Sequence, residues 1–314
     1  MLTYTLRRSG QGLLVLAGLT VITFLLEHLL PGNIARSILG VHANPATIAA
    51  FDKQNDLNRS ILVQYAHFVD QLLHGNLGYS YTQNRSVDSM LASEAPRDVV
   101  LVGLSLALAI AIAVPTGIVQ AMRRNRLVDH VGTGIAFTLY SMPPYVPALL
   151  AVEIFSIRLH WLPSEAPQAS TAIGMLEHPA GLVLPVLTLT LVTYALFSRY
   201  MRSAVIDTLA QPFMHTARCK GLPERVIVTR HVLRNSLIAV VTLTGLSIPG
   251  ILTAGLITEE VFNFPGVGLE YFNAATTNDF PTMLGITVVI GVVTILGNFL
   301  ADVSYAILDP RVRL

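Results

Sequence analysis

Six apolar stretches alternate with polar segments along the chain, at approximately 10–30, 98–121, 131–157, 181–201, 236–261 and 282–307. A hydrocarbon core about 30 Å thick takes about 20 residues to cross as a helix. Every stretch meets that length, so the pattern predicts an all-α membrane protein with six transmembrane helices. The first, behind Arg7 and Arg8, has the flanks of a signal peptide but is long enough to span. Pro31-Gly32-Asn33 follows it, with no small-x-small cleavage site, so it reads as a retained first helix. The next segment, 31–97, is too long for a plain connection. Within it Ile61, Leu62, Tyr65, Phe68, Val69, Leu72 and Leu73 recur at helical spacing, and Gly75 supplies a stop. This predicts a helix capping the outer face of the bundle, compatible with a docking surface for an extracytoplasmic partner.

Composition agrees. Hydrophobic residues make up 53% of the 314 and charged residues only 12%, against about 25% charged in soluble domains. Mean hydropathy is +0.60. The single cysteine, Cys219, excludes an intramolecular disulfide and a Cys-rich metal site.

Charge distribution sets the orientation. With the N-terminus inside, the inner segments hold Arg7, Arg8, Arg123, Arg124, Arg126, Arg199, Arg202, Arg218, Lys220, Arg225, Arg230, Arg234, Arg311 and Arg313. The outer segments, longer in total, hold only Arg36, Lys53, Arg59, Arg85, Arg97 and Arg158. The positive-inside rule selects this topology, with both termini cytoplasmic. Four regions follow: 1–30, an inner tip and the first span; 31–97, an extracytoplasmic helical region; 98–308, a five-helix core; and 309–314, a cytoplasmic tail. Pro115, Pro143, Pro144, Pro147, Pro185, Pro249 and Gly250 fall inside the core spans. Such breaks suit a path with moving helices, and they are also commoner in membrane helices generally.

The most organised segment is the inner loop 201–234. Pro212 can open a short helix, on which Phe213 and Ala217, one turn apart, are expected to share a face. Gly221 permits the left-handed turn that ends a helix, and Pro223 forbids its continuation. A second short helix is expected over about 223–233. Helix, glycine, helix makes a rigid knob edged with arginines.

Thr216-Ala217-Arg218-Cys219-Lys220-Gly221-Leu222, followed by Arg230-His231 and Arg234-Asn235, resembles the EAA loop of the transmembrane subunits of bacterial ABC importers. Gly75-Asn76-Leu77-Gly78-Tyr79-Ser80, Val261-Phe262-Asn263-Phe264-Pro265-Gly266-Val267-Gly268 and Leu308-Asp309-Pro310-Arg311-Val312-Arg313 are similar to further elements of the first permease subunit of the oligopeptide, dipeptide and nickel importers. The four motifs occur in order and cover essentially the whole chain. Departures exist: His215 stands where the loop's glutamate falls, Thr216 at its first alanine, Cys219 at another, and Asn263-Phe264 replaces Ser-Trp. The loss of the carboxylate puts a salt bridge from position 215 in doubt.

The resemblance implies a type I ABC importer permease fold in a bacterial inner membrane, with a helical extracytoplasmic insertion after the first helix. It implies as partners a second homologous permease subunit, two ATPase subunits or domains, and an extracytoplasmic substrate-binding protein. Phe213, Thr216, Ala217, Lys220, Gly221, Leu222 and Arg225 would form the ATPase-coupling surface. Ala217 and Gly221 would permit close approach, while Lys220 and Arg225 would add charge at the rim or serve only as inner-side determinants. Glu259, Phe262, Pro265 and Gly266 would lie at an outer gate or rim, or anchor the turn there. The cargo implied is small peptides, with nickel chelates, haem and glutathione-like peptides open. Glu153 and Asp302 are intramembrane acids near span ends, where hydration competes with a transport role.

No chemistry of its own is expected. The sequence has no His-Glu-x-x-His, no Gly-x-Ser-x-Gly and no Gly-x-x-x-x-Gly-Lys-Ser/Thr. ATP and Mg are therefore expected on partner subunits, with no cofactor on this chain. A secondary transporter would show inverted repeats and polar residues at mid-membrane, and neither is evident.

Overall fold

The structure, a computed structural model, describes residues 2–29, 43–54, 58–80 and 82–308. The start of the outer region (31–42), the tail 309–314 with Arg311 and Arg313, and the side chain of Asp302 lie outside what is described. Apart from a two-stranded hairpin, the elements are helices: α1 (Leu2–Leu29), α2 (Pro45–Gln54), α3 (Ile61–Leu73), β1 (Tyr79–Ser80), β2 (Arg85–Ser86) and α4 (Val87–Met122). Then follow α5 (Leu127–Ser141), α6 (Tyr145–Ala151), a π-helical segment (Val152–Arg158), α7 (Ala172–Glu177), α8 (Pro179–Leu209) and α9 (Pro212–Cys219). The chain continues through α10 (Glu224–Val226), a second π-helical segment (Ile227–Val232), α11 (Leu233–Val261), α12 (Val267–Thr277) and α13 (Phe280–Leu308). Two compact units emerge, Met1–Arg97 with Pro265–Ile295, and Asp98–Phe264 with Leu296–Leu314.

Among the described residues, four helices are long and apolar enough to cross a membrane: Val87–Met122, Pro179–Leu209, Glu224–Ile248 and Phe280–Leu300. Gly10–Leu26 is a shorter apolar helix. The stretch expected as a third span, 131–157, is not one straight helix, although its two parts together are long and apolar enough for one broken span. It is two helices, Leu127–Ser141 and Tyr145–Arg158, meeting at 104°. The cause lies in Met142-Pro143-Pro144. A residue before proline is pushed out of the helical region, and Met142 sits extended at φ −78°, ψ 130°. Helix α5, 15 residues, is about 22 Å long, too short to cross alone. A second difference is at α4, which begins at Val87, well before the apolar stretch at 98. Hydropathy marks the lipid-facing part of a helix, not its end.

In the first unit, α3 lies on α1. The Phe24 ring meets Tyr65 edge-on at 5.4 Å and stacks on Phe68 at 6.1 Å, and the Thr20 and Tyr65 hydroxyls are 3.0 Å apart. The contact face is half-buried Tyr65, Phe68, Val69 and Leu72, while Ile61, Leu62 and Leu73 of the same apolar set are exposed. Gly75, at φ +78°, stops α3 as expected. Its N–H donates to the Leu72 carbonyl and that of Asn76 to Gln71, the pairing of a glycine-terminated helix.

The Gly75–Ser80 run then docks on α13. The Ser80 hydroxyl, fully buried, donates to the carboxylate of Asp279 just before α13. A Cβ on Gly285 would stand 2.7 Å from the Leu77 carbonyl oxygen and 2.8 Å from a Val87 methyl. Such approaches matter because helices in lipid gain little from hydrophobicity and associate through close packing and hydrogen bonds.

In the second unit α8 is central. Its buried Phe197, Met201 and Val205 form one core with Ala113, Ala121, Met214, Ala217, Ile227, Val232, Val240 and Leu243. Leu182 and Leu189 join Leu101, Met175, Ile251 and Phe264 in another. Thr190 donates to the Ser105 carbonyl, and Ser105 to that of Val186, beside Pro185. At the far end of α8, Arg202 binds buried Asp129 of α5 with two hydrogen bonds, 2.6 and 2.8 Å. Asp129 also accepts from the Asn125 N–H at 2.9 Å. A fork of this kind fixes direction as well as distance.

Two stability predictions follow from these contacts. Gly285→Ala should cost about 1–3 kcal/mol because a backbone carbonyl cannot yield as a side chain can, lowering the melting temperature in detergent. Gly103→Ala, with nothing within 4 Å of the added carbon, should leave it unchanged. Asp129→Ala should cost about 2–4 kcal/mol by stranding the Arg202 guanidinium. In the same assay, replacing both residues by leucine should recover part of that loss.

Candidate coupling site

The segment Pro212–Val232 folds as an elbow. Gln211, extended at ψ 145°, precedes α9, and Pro212 occupies its first turn, where a missing N–H costs nothing. The helix ends at Lys220, with Gly221 left-handed at φ +73°. The Gly221 N–H donates to the Arg218 carbonyl at 2.9 Å, and that of Leu222 to Ala217 at 3.4 Å. These are the two bonds of a Schellman turn, and half-buried Leu222 packs against the core containing Ala217, as the motif requires. Arg218 Nε lies 3.2 Å from Glu224 Oε1, tying the two arms across the turn.

The helix has two faces. Met214 and Ala217, three residues apart, are buried against Val205, Ile227 and Val232. Phe213, His215, Thr216, Cys219, Lys220 and Gly221 are exposed, as is Arg225 on the second arm. Phe213 and Ala217 therefore do not share a face. Phe213 is 42% exposed and Ala217 5%, because the apolar stripe runs through 214 and 217. Ala217 lets the helix approach its own bundle and offers nothing to a partner.

The second arm also differs from expectation. The helix expected at 223–233 is not separate: Glu224–Val226, the π-helical Ile227–Val232 and Leu233–Val261 follow without interruption. The hydrogen-bond pattern widens to π over Ile227–Val232 but the helix does not stop there, so the elbow's second arm is the first turns of a helix long and apolar enough to cross a membrane.

The residues expected at an outer gate sit at the other end of α11. Phe262 is fully buried with Ala148, Ala151 and Leu184. Its carbonyl accepts from the Ala166 N–H at 2.8 Å. Asn263 turns the chain at φ +47°, and its carbonyl accepts from Gln168 Nε2 at 2.8 Å. The Glu259 carbonyl accepts from the Phe264 N–H at 2.8 Å, and Glu259 itself is 4% exposed. The Phe262 ring and the Glu259 carbonyl thus anchor the turn, one of the two roles expected of these residues. In the other unit, Pro265 is half-buried and Gly266 is the buried cap of α12. Glu153 pairs with Arg158 at 2.8 Å, largely exposed.

Among the described residues no group of three or more His, Cys, Asp or Glu side chains could hold a metal ion. Sequence reasoning missed the Asp129–Arg202 fork, whose members stand 73 residues apart. No local signal marks such a pair.

Comparison with known proteins is consistent along the whole length. Residues 113–314 match the family described as binding-protein-dependent transport system inner membrane component, and residues 1–102 match its N-terminal counterpart. A protein of Brucella suis biovar 1, provisionally named a peptide permease, is 39% identical over 321 residues, covering all of both chains. The glutathione transport system permease protein GsiC of Salmonella choleraesuis is 34% identical over 313 residues, covering all of this chain and 99% of its own. The dipeptide transport system permease protein DppB of Alkalihalophilus pseudofirmus is 31% identical over 332 residues, again covering all of both. The chain therefore belongs to the binding-protein-dependent transport system inner membrane component family: it is a multi-pass permease subunit of an ABC importer, with ATP hydrolysis on partner subunits.

Proposed function

We propose that this chain forms half of the translocation path of an importer of small peptides, and that its elbow is the seat of the ATPase. A second homologous permease would supply the other half, two ATPase subunits or domains would bind ATP and Mg, and a binding protein would deliver cargo from outside. Both termini and the elbow would lie on the cytoplasmic side, as the arginine distribution favours.

The observation that carries the reading is the two-faced elbow. Its inner face is anchored by Met214 and Ala217, and its outer face presents Phe213, Thr216, Lys220 and Gly221. An aromatic residue with small and polar neighbours on a rigid projection suits insertion into a groove. Lys220 and Arg225 at the rim would guide encounter more than hold it. A push on this face would act directly on the helix running through Leu233–Val261, moving it as a rigid body. Peptide cargo is favoured by the relatives' names, which give peptides, dipeptides and the peptide glutathione.

In proteoliposomes holding the full complex and its binding protein, uptake of radiolabelled trialanine should require ATP. Phe213→Asp and Thr216→Arg should each slow it by about tenfold or more with no change in melting temperature, since both side chains are exposed. Uptake without ATP, or full uptake in both variants, would contradict the reading. Gly221→Ala should cost about 1 kcal/mol through φ alone, because nothing lies within 4 Å of the added carbon. Protease nicking of the elbow should rise accordingly, and Gly221→Asn should fall between the two.

A further inference from the structure

Arg199 of α8 is a cation inside a spanning segment with no carboxylate beside it. Its guanidinium carbon lies over the Phe137 ring at 4.3 Å from the centroid and over the Tyr140 ring at 4.9 Å. Among the described residues it has no ion pair and no hydrogen bond. Both rings are at least half exposed, and Arg199 is half-buried, so the platform opens onto the surface of the second unit rather than into its core.

The direction of the side chain is informative. Three residues further along α8, Arg202 pairs with Asp129 near the start of α5. Three residues of helix are about 4.5 Å, yet Phe137 and Tyr140 lie about 12–17 Å beyond Asp129 along α5. Arg199 therefore reaches away from the basic end of the bundle. A membrane arginine relieved by snorkelling would point the other way. An ionisable side chain within a spanning helix that does not turn to the interface faces a wet path or a partner by default.

The stacking also sets what is left to bind. Ring faces take up the flat side of a guanidinium and leave its N–H edge free. That edge fits a carboxylate as a two-pronged fork.

We propose that Arg199, on its Phe137–Tyr140 platform, is the point in the translocation path that receives the cargo peptide's terminal carboxylate. The inference rests on the peptide reading above. The C-terminal carboxylate is the negative group that every unmodified peptide carries whatever its side chains. A single cation with no second charge beside it binds well enough to admit the peptide and loosely enough to release it.

The test uses the full reconstituted complex with its binding protein. Tyr140 is replaced by p-benzoyl-phenylalanine, which keeps a ring beneath the guanidinium, and radiolabelled trialanine is supplied with ATP under illumination. Trialanine should crosslink at position 140. Arg199→Gln should cut both the crosslink and uptake by about tenfold or more, and Arg199→Lys should restore a large part of each. Uptake without any crosslink at 140 would overturn the proposal, as would a crosslink indifferent to Arg199→Gln. A crosslink to phospholipid alone would overturn it in favour of a lipid contact. Wild-type complex that takes up no trialanine would count against the peptide reading itself and bring this inference down with it, an outcome distinct from the variant results.

Discussion

Met214 and Ala217 hold the helix Pro212–Cys219 to the bundle by packing against Val205, Ile227 and Val232, and the mechanical reading depends on that contact. Full burial of a methionine side chain is worth about 1.5–3 kcal/mol, enough to keep so short a helix seated that would not form alone in water. With the contact in place, the end of α8, the elbow and the start of α11 move together. Without it the segment would be a loop on two stalks, able to absorb a displacement without passing it on. The Schellman turn at Gly221 and the Arg218–Glu224 pair add stiffness at the corner, and the unbroken helix from Glu224 onward carries it into the membrane.

Much of this was legible in the chain, and what was not has physical reasons. Pro212, Gly221 and Pro223 are strong local punctuation, so the position of the elbow and its corner could be read directly. Which face turned inward could not. An eight-residue helix offers too few apolar positions to define a stripe, and the pairing of Phe213 with Ala217 was as regular in spacing as that of Met214 with Ala217. Smallness was read at Ala217 as room for a partner, whereas it is room for the protein's own bundle. At Phe262 the sequence left two roles open, a gate or an anchor for the turn. Its motif marks a special turn, and the ring packs from within it, against Ala148, Ala151 and Leu184, as an anchor would.

The third apolar stretch shows a different blindness. Hydropathy adds up residues without regard to direction, so 131–157 scored as one span although Met142-Pro143-Pro144 already carried the instruction to turn. The Asp129–Arg202 fork and the Arg199 platform lay further out of reach. Each joins residues more than 50 positions apart, and an arginine near the end of a span looks the same in sequence whether it pairs, snorkels or reaches inward. Close helix packing was equally silent. Glycines at 117, 132 and 285 sit where an added carbon would come within 3 Å of a neighbour, while those at 103 and 134 face open space.

The central claim is that the elbow is a cytoplasmic surface covered by an ATPase, and the chain carries its own reporter there. Cys219 is the only cysteine in the sequence, and it is exposed on the elbow. A membrane-impermeant maleimide should label it in inside-out vesicles, fail to label it in right-side-out vesicles, and label it much more slowly when the ATPase partner is bound. Labelling from the outer side, or labelling equally fast with and without the ATPase, would contradict the account.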